Sequence, residues 1–428
     1  MSEQQQDPRP PLIVSAREVE RLVPTTESAV ERLDQEEVEA SAAQRATFLA
    51  AVARGLGKLR DESEGVDPDV LVTSQDPFAS LLQSQLAIEA ADRQAFEPVD
   101  SGGAEVRFDT RDVRWAKTLY DRLFADSFPQ QRPTDDGIES IPNHARVALM
   151  ADWGTGLYGA PAVAKSIEND GDRLDAILHL GDIYYSGLSN EVEERFLQFW
   201  PRRSDAVSRA LNANHEMYCK GEGYFQRVLP AFGQRSSYLA LQNDHWTLVG
   251  LDTGYDDHDL DDQQLAWVRE VFAQAGDRKI ALLSHHQLFS HFESQGTDLA
   301  NKLGPLLAAG RVTAWYWGHE HRCAIYAPSA AHGGMHGRCL GHGGMPYSRR
   351  KHRDLTIEEQ VGDAMWKSMP VTADSPGGRV LDGPNPHIIG KEERYLPNGY
   401  MTLELERDAL VETVLSADGE VLLRQEIR

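Results

Sequence analysis

Five short blocks in this chain collect side chains that bind metal ions. They are Asp152-Trp153-Gly154, Gly181-Asp182-Ile183-Tyr184-Tyr185, Asn214-His215-Glu216, Ser284-His285-His286 and Gly318-His319-Glu320-His321. Together they offer carboxylates, an amide, phenols and imidazoles, a mixed oxygen and nitrogen set that iron, manganese and zinc all accept. The chemistry such a set supports is the hydrolysis of phosphoric esters. Two cations about 3.5–4 Å apart lower the pKa of a water and clamp the phosphoryl oxygens. A pair of this kind needs one carboxylate between the ions and further donors for each. Asp152 and Asp182 are the carboxylates on offer. His285, His319 and His321 offer neutral imidazoles, Asn214 a carbonyl oxygen and Tyr185 a phenolate. The spacing Gly-His-x-His puts both imidazoles on one side of an extended segment. By the same alternation His286, next to His285, points elsewhere.

Four of the blocks follow an apolar run that reads as a strand: Val147–Met150, Ala176–Leu180, Ile280–Leu283 and Val312–Trp317. The Asn214 block follows a shorter, mixed run. Helical patterns lie between several of them, most clearly Asp261–Ala275, where Leu265, Val268 and Phe272 share a face. Strands alternating with helices predict an α/β domain. Such a domain gathers ligands outside the carboxyl ends of its strands. Toward the C-terminus, Tyr400–Glu406, Leu410–Leu415 and Val421–Ile427 alternate apolar and polar residues and read as antiparallel strands closing one side of the sheet. Residues 352–398, rich in Pro, Gly and charge, read as a long loop. Residues 1–140 differ in character. A polar opening of ten residues, helices near 15–60, 78–96 and 111–125, a turn at Asp100–Gly103 and a linker at 129–142 make a mostly helical N-terminal region. It carries no chemistry and suits packing, a cap or a protein partner. The catalytic domain is expected over 141–428.

The chain has 428 residues, 41% hydrophobic and 26% charged, with a net charge of −24. That composition is ordinary for a soluble globular protein. The negative field repels nucleic acid and anionic membranes, so neither is an expected partner. It also repels phosphorylated substrates, so a phosphate site must bring its own positive charge, which bound metals supply. Three cysteines, Cys219, Cys323 and Cys339, do not make a disulfide framework. With no secretory signal at the N-terminus and no run of about 20 apolar residues, a cytoplasmic location is the simplest reading. His332, His336, Cys339 and His342 match no zinc spacing, and the glycines among them fit a strand and tight turn. The acidic run Asp256–Asp262 fits the start of the helix that follows it.

The order and content of the five blocks resemble the calcineurin-like metallophosphoesterases over about residues 145–345, and within them the purple acid phosphatase branch. Most of that superfamily has Asp-x-His in the first block. Here Gly154 replaces the histidine and Tyr185 stands three residues after Asp182, two departures that are paired in the purple branch. The resemblance implies a metallophosphoesterase-type β-sandwich flanked by helices. It implies a phosphatase for mono- or diesters that attacks through metal-bound hydroxide, with two ions, iron paired with iron, manganese or zinc. Asp152, Tyr185 and His321 would hold one ion; Asn214, His285 and His319 the other; Asp182 would bridge. His215 would contact the phosphate and act as acid, with Glu216 behind it. Ala213 stands where the family usually has glycine. Two alternatives remain open. One is a scaffold or regulatory protein acting through the N-terminal region with a structural metal site. The other is a nuclease of the same superfamily, which the acidic balance and lack of a basic groove disfavour.

Overall fold

The computed structural model describes residues 12–13, 42–63, 67, 70–71, 73–92, 96–98, 104–106, 114–293 and 297–428. The polar opening and the Asp100–Gly103 turn lie outside these residues. The chain divides into two compact units, Met1–Ala125 and Asp126–Arg428. Within the first, the described residues form helices Ala42–Ser63, Pro77–Asp92 and Arg114–Leu123 and a small three-stranded sheet. Phe48, Val52 and Leu56 are buried, while Leu49 beside them is exposed. The Phe48 ring meets Phe78 and Tyr120 edge-on, at 6.1 and 5.6 Å. The segment read as a linker, 129–142, lies wholly within the second unit, where Ile138–Ser140 pairs in parallel with Leu239–Gln242.

Among the described residues, two sheets, of ten and six strands, build the second unit. Val147, Leu149 and Leu178 of the smaller sheet share one core with Leu248, Leu283 and Tyr316 of the larger. The alternate residues of the same strands are apolar too. Ala148, Met150 and Ile177 pack with Val163 and Ile167 of the helix Ala160–Glu168. Ile280, Leu282 and Trp315 pack with Val268 of Asp262–Ala275 and Leu303 of Thr297–Ala308. Strands apolar on both faces demand cover on both faces. The result is a mixed α/β fold, a β-sandwich with helices on either side. Asp261 starts the helix at Asp262, its carboxylate accepting from the backbone N–H groups of Gln263 and Gln264.

In the smaller sheet Arg146–Met150, Ala176–His179 and Val207–Ala210 run parallel. In the larger, Trp246–Gly250, Lys279–Ser284, Val312–Trp317 and His336–Leu340 do so. Gly399–Leu405, Leu410–Ser416 and Val421–Ile427 extend the smaller sheet antiparallel. The 352–398 stretch is not the long loop its composition suggests. Ile357–Val361, Ala364–Met369 and Gly378–Asp382 add three antiparallel strands to the larger sheet. Its glycines punctuate strands instead of replacing them: Gly362 and Gly377 take φ of 59° and 74° between these strands.

One polar knot joins the sheets through the core. Arg338 of the larger sheet places Nε 2.9 Å from both carboxylate oxygens of Glu412 in the smaller one. Tyr316 Oη and Gln425 Nε2 donate to the same carboxylate at 2.6 Å each. Among the described residues, no helix is long and apolar enough to cross a membrane.

Candidate metal centre

All five blocks sit just beyond strand ends, and each sheet supplies part of the cluster. Asp152 follows Arg146–Met150, Asp182 follows Ala176–His179 and Asn214 follows Val207–Ala210. On the larger sheet, His285 follows Lys279–Ser284 and His319 follows Val312–Trp317. Asp152, Asp182 and His319 hold φ of 57°, 74° and 68°. A side chain resists this left-handed region, and three such residues at one point mark a backbone bent to aim them inward. Glycine makes room beside them: a Cβ at Gly318 or Gly341 would lie 2.7 or 2.9 Å from Asp152 Oδ2.

The side chains converge. Tyr184 Oη lies 2.9 Å from Asp152 Oδ1, 3.0 Å from Asp182 Oδ2 and 2.9 Å from His321 Nε2. His321 Nε2 is 3.5 Å from Asp152 Oδ1, and His285 Nε2 is 3.3 Å from Asp182 Oδ2. The His319 backbone N–H donates to Asp152 Oδ2 at 2.9 Å, and that of His215 to Asp182 Oδ1 at 3.2 Å. Glu216 accepts the Asp182 backbone N–H at 3.3 Å. Asn214 is buried, its Nδ2 donating to Tyr218 Oη at 2.7 Å. Ala213, in the place of the family's glycine, has φ of −141°, which any residue adopts. Its methyl group fills the space over Gly181, where a further Cβ would meet it at 2.5 Å.

The phenol among these groups is Tyr184, one residue before the one the family pattern indicates. The loop is held in that register by a pair that sequence reading passed over. Glu191 accepts from the backbone N–H groups of Tyr185, Ser186 and Leu188 at 2.8, 3.0 and 3.1 Å. Arg195 donates to the Tyr184 carbonyl at 3.0 Å and lies over the Tyr185 ring, 4.7 Å from its centroid. An acid and an arginine four residues apart, straight after the block, were the available signal. His286 also joins the cluster, although alternation sent it away. It lies past the end of its strand, where alternation no longer applies, and its ring sits 4.9 Å from His285 and 4.7 Å from His319. The later His and Cys residues stay apart. Cys339 donates to the carbonyls of Glu320 and Arg322 at 3.3 Å each, and His332 Nδ1 is 2.7 Å from Ser329 Oγ. Among the described residues, no group able to hold an ion includes His332, His336, Cys339 or His342.

Electrostatics show what the cluster lacks. Asp152 and Asp182 are fully buried, and among the described residues no lysine or arginine pairs with either. Burial, reinforced by Asp182, pushes the Asp152 carboxyl well above the usual range despite His285. For Asp182 burial also raises the pKa, but His285 and His215 outweigh it and hold the group low. Burial acts against His285 as well, yet Asp182 lifts it to about 9. His321 is taken down to about 3 by burial, with Asp182 opposing. Two buried carboxylates whose close partners are a phenol and imidazoles, and no lysine or arginine among the described residues, are costly unless further positive charge joins them. Asp152, Asp182 and His285 form one group able to hold an ion; His285, His286 and His319 form a second. The donors therefore fit a pair of metal ions.

The cluster thus lies at the strand ends of a helix-flanked sandwich. Residues 145–323 match the model of the Calcineurin-like phosphoesterase family. Tartrate-resistant acid phosphatase type 5 of Sus scrofa is 26% identical over 41% of this chain and 64% of its own length. This chain thus spans somewhat less than two thirds of that relative. Among solved structures, purple acid phosphatase PPD1 from yellow lupin (Lupinus luteus) seeds covers 67% of this chain and 54% of its own, at 14% identity and a TM-score of 0.47. GAP50, the anchor in the inner membrane complex of Plasmodium, covers 67% of this chain and 89% of its own, at 15% identity and the same TM-score.

Proposed function

We propose that this protein hydrolyses phosphoric esters with two metal ions held in the cluster. The observation that carries the reading is the meeting of Asp152, Asp182, Tyr184, His285 and His321 at one buried point where, among the described residues, no lysine or arginine pairs with either carboxylate. Asp152, Tyr184 and His321 would hold one ion, and Asn214, His285 and His319 the other, with Asp182 between them. When bound, the ions supply Lewis acidity and a water of lowered pKa. Iron, manganese and zinc all suit this donor set. The substrate is a phosphoric mono- or diester. The test is release of p-nitrophenol from p-nitrophenyl phosphate and from its bis-ester with iron, manganese and zinc supplied in turn. Turnover is expected with at least one metal, and none with any of them would overturn the reading.

We infer that His215, once protonated on Nε2, gives that proton to the leaving oxygen. The Tyr185 carbonyl can only accept, so the close Nδ1 contact fixes the proton of the neutral ring on Nδ1. Nε2 is then bare, buried and without a hydrogen-bond partner, 3.9 Å from Asp182 Oδ2. Burial lowers the imidazole pKa while Asp182 raises it, so the ring gives up a proton readily once protonated. Glu216 supports this arrangement through the Asp182 backbone. His215→Ala should lower kcat about 10²-fold with both metal ions retained, read by steady-state kinetics and metal analysis on the same sample. Loss of metal in that variant would contradict the role.

The position of the phenol can be read by eye. Ferric iron bound by a phenolate absorbs in the visible. Tyr184→Phe should abolish that band in the iron-loaded protein, and Tyr185→Phe should keep it. The reverse result would return the ligand to Tyr185.

A further inference from the structure

We infer that His286 is a third imidazole for the second ion, beside His285 and His319, and that it biases that position toward zinc over manganese. This rests on the metal-dependent reading above. The three ring centroids are 4.9 Å apart for His285–His286, 4.7 Å for His286–His319 and 5.3 Å for His285–His319. Imidazoles bound at about 2.0–2.1 Å place their centroids about 3.2 Å from the ion, and at the roughly 90–110° angles of four- or five-coordinate zinc about 4.5–5 Å from one another. The observed triangle is close to that spacing. One ring nitrogen from each histidine lies within 4.8 Å of the other two.

The free nitrogens are the ones a ligand would use. His286 is 5% exposed, and its Nε2 has no hydrogen-bond partner. Its Nδ1 is 3.0 Å from Thr253 Oγ1, and its ring stacks on His258 at 3.9 Å. His285 repeats the pattern, with Nδ1 2.9 Å from the Leu180 carbonyl and Nε2 turned to Asp182. His319 Nδ1 is likewise buried without a partner. A metal-binding histidine anchors its far nitrogen and leaves the near one for the ion. A histidine serving only to pack would leave Nε2 buried and unsatisfied at a cost. Three imidazoles suit zinc, whereas manganese favours oxygen donors.

The test is metal analysis and equilibrium dialysis of the full chain with zinc or manganese, comparing the wild type with His286→Ala. The wild type should hold two zinc ions. The variant should keep the first and bind the second about 10–100-fold more weakly, with a smaller loss for manganese. Two zinc ions of unchanged affinity, or equal weakening of both, would overturn the inference. Should His286→Ala not fold, Thr253→Val leaves the imidazole but frees its ring, and should weaken the second ion alone by several-fold; no change would count against the inference. A wild type that binds two ions yet hydrolyses no ester would remove the activity and leave the ligand in place. A wild type that hydrolyses esters while His286→Ala keeps both ions would do the opposite.

Discussion

Asp182→Asn should reduce kcat/KM for p-nitrophenyl phosphate by about 10³-fold or more, equivalent to at least about 4 kcal/mol of transition-state stabilisation. The substitution is nearly isosteric, and the amide oxygen can still accept the His215 N–H that Asp182 Oδ1 accepts at 3.2 Å. What disappears is charge. Asp182 Oδ2 is the one oxygen shared by Tyr184 Oη at 3.0 Å and His285 Nε2 at 3.3 Å, members of the two halves of the cluster. An amide there cannot serve two cations, so both ions should weaken together. Asp152→Asn offers the contrast. Asp152 meets Tyr184 and His321, so its loss should weaken mainly the ion on that side. Metal analysis of the two variants therefore separates a shared ligand from a one-sided one. Undiminished turnover by Asp182→Asn would sink the two-ion reading.

Most of this centre was legible in the sequence because strand ends fix where a side chain lies. Apolar runs such as Val147–Met150 and Ile280–Leu283 define strands, and a ligand one or two residues beyond must sit at the carboxyl edge. Asp152, Asp182, His285 and His319, which the fold brings to that edge, were singled out in that way, and His321 by its spacing from His319. The reading slipped where a loop decides direction. Tyr184 and Tyr185 are chemically identical, and only the Glu191 and Arg195 contacts choose between them. His286 was judged by strand alternation, yet it lies beyond the last strand residue, Ser284. In 352–398 composition misled, since a short strand such as Ala364–Met369, with Trp366 fully buried, needs few residues and its turns carry the Gly and Pro. Ile138–Ser140 was too short and polar to stand out from a linker until its partner strand at Leu239–Gln242 was known.

The largest stability effect is expected far from the ligands, at Glu412. Glu412→Leu should destabilise the larger unit by about 3–5 kcal/mol. Glu412 is fully buried, and its carboxylate is the only anion facing Arg338 among the described ion pairs. Removing it strands a guanidinium that is itself 2% exposed and leaves the Tyr316 and Gln425 donors without their acceptor. Arg338→Met in the same chain should recover much of the loss, because a buried ion pair costs more broken than absent. Urea unfolding followed by tryptophan fluorescence reads this unit, since only Trp115 of the eight tryptophans lies in the other. The effect should reach the metal centre as well. Glu412 joins Leu410–Ser416 of the sheet that presents Asp152 and Asp182 to Arg338 and Tyr316 of the sheet that presents His285 and His319. If this knot keeps the two halves in register, Glu412→Leu should bind both ions more weakly at temperatures where it is still folded. A variant that loses stability while its metal affinity stays unchanged would confine the knot to the core.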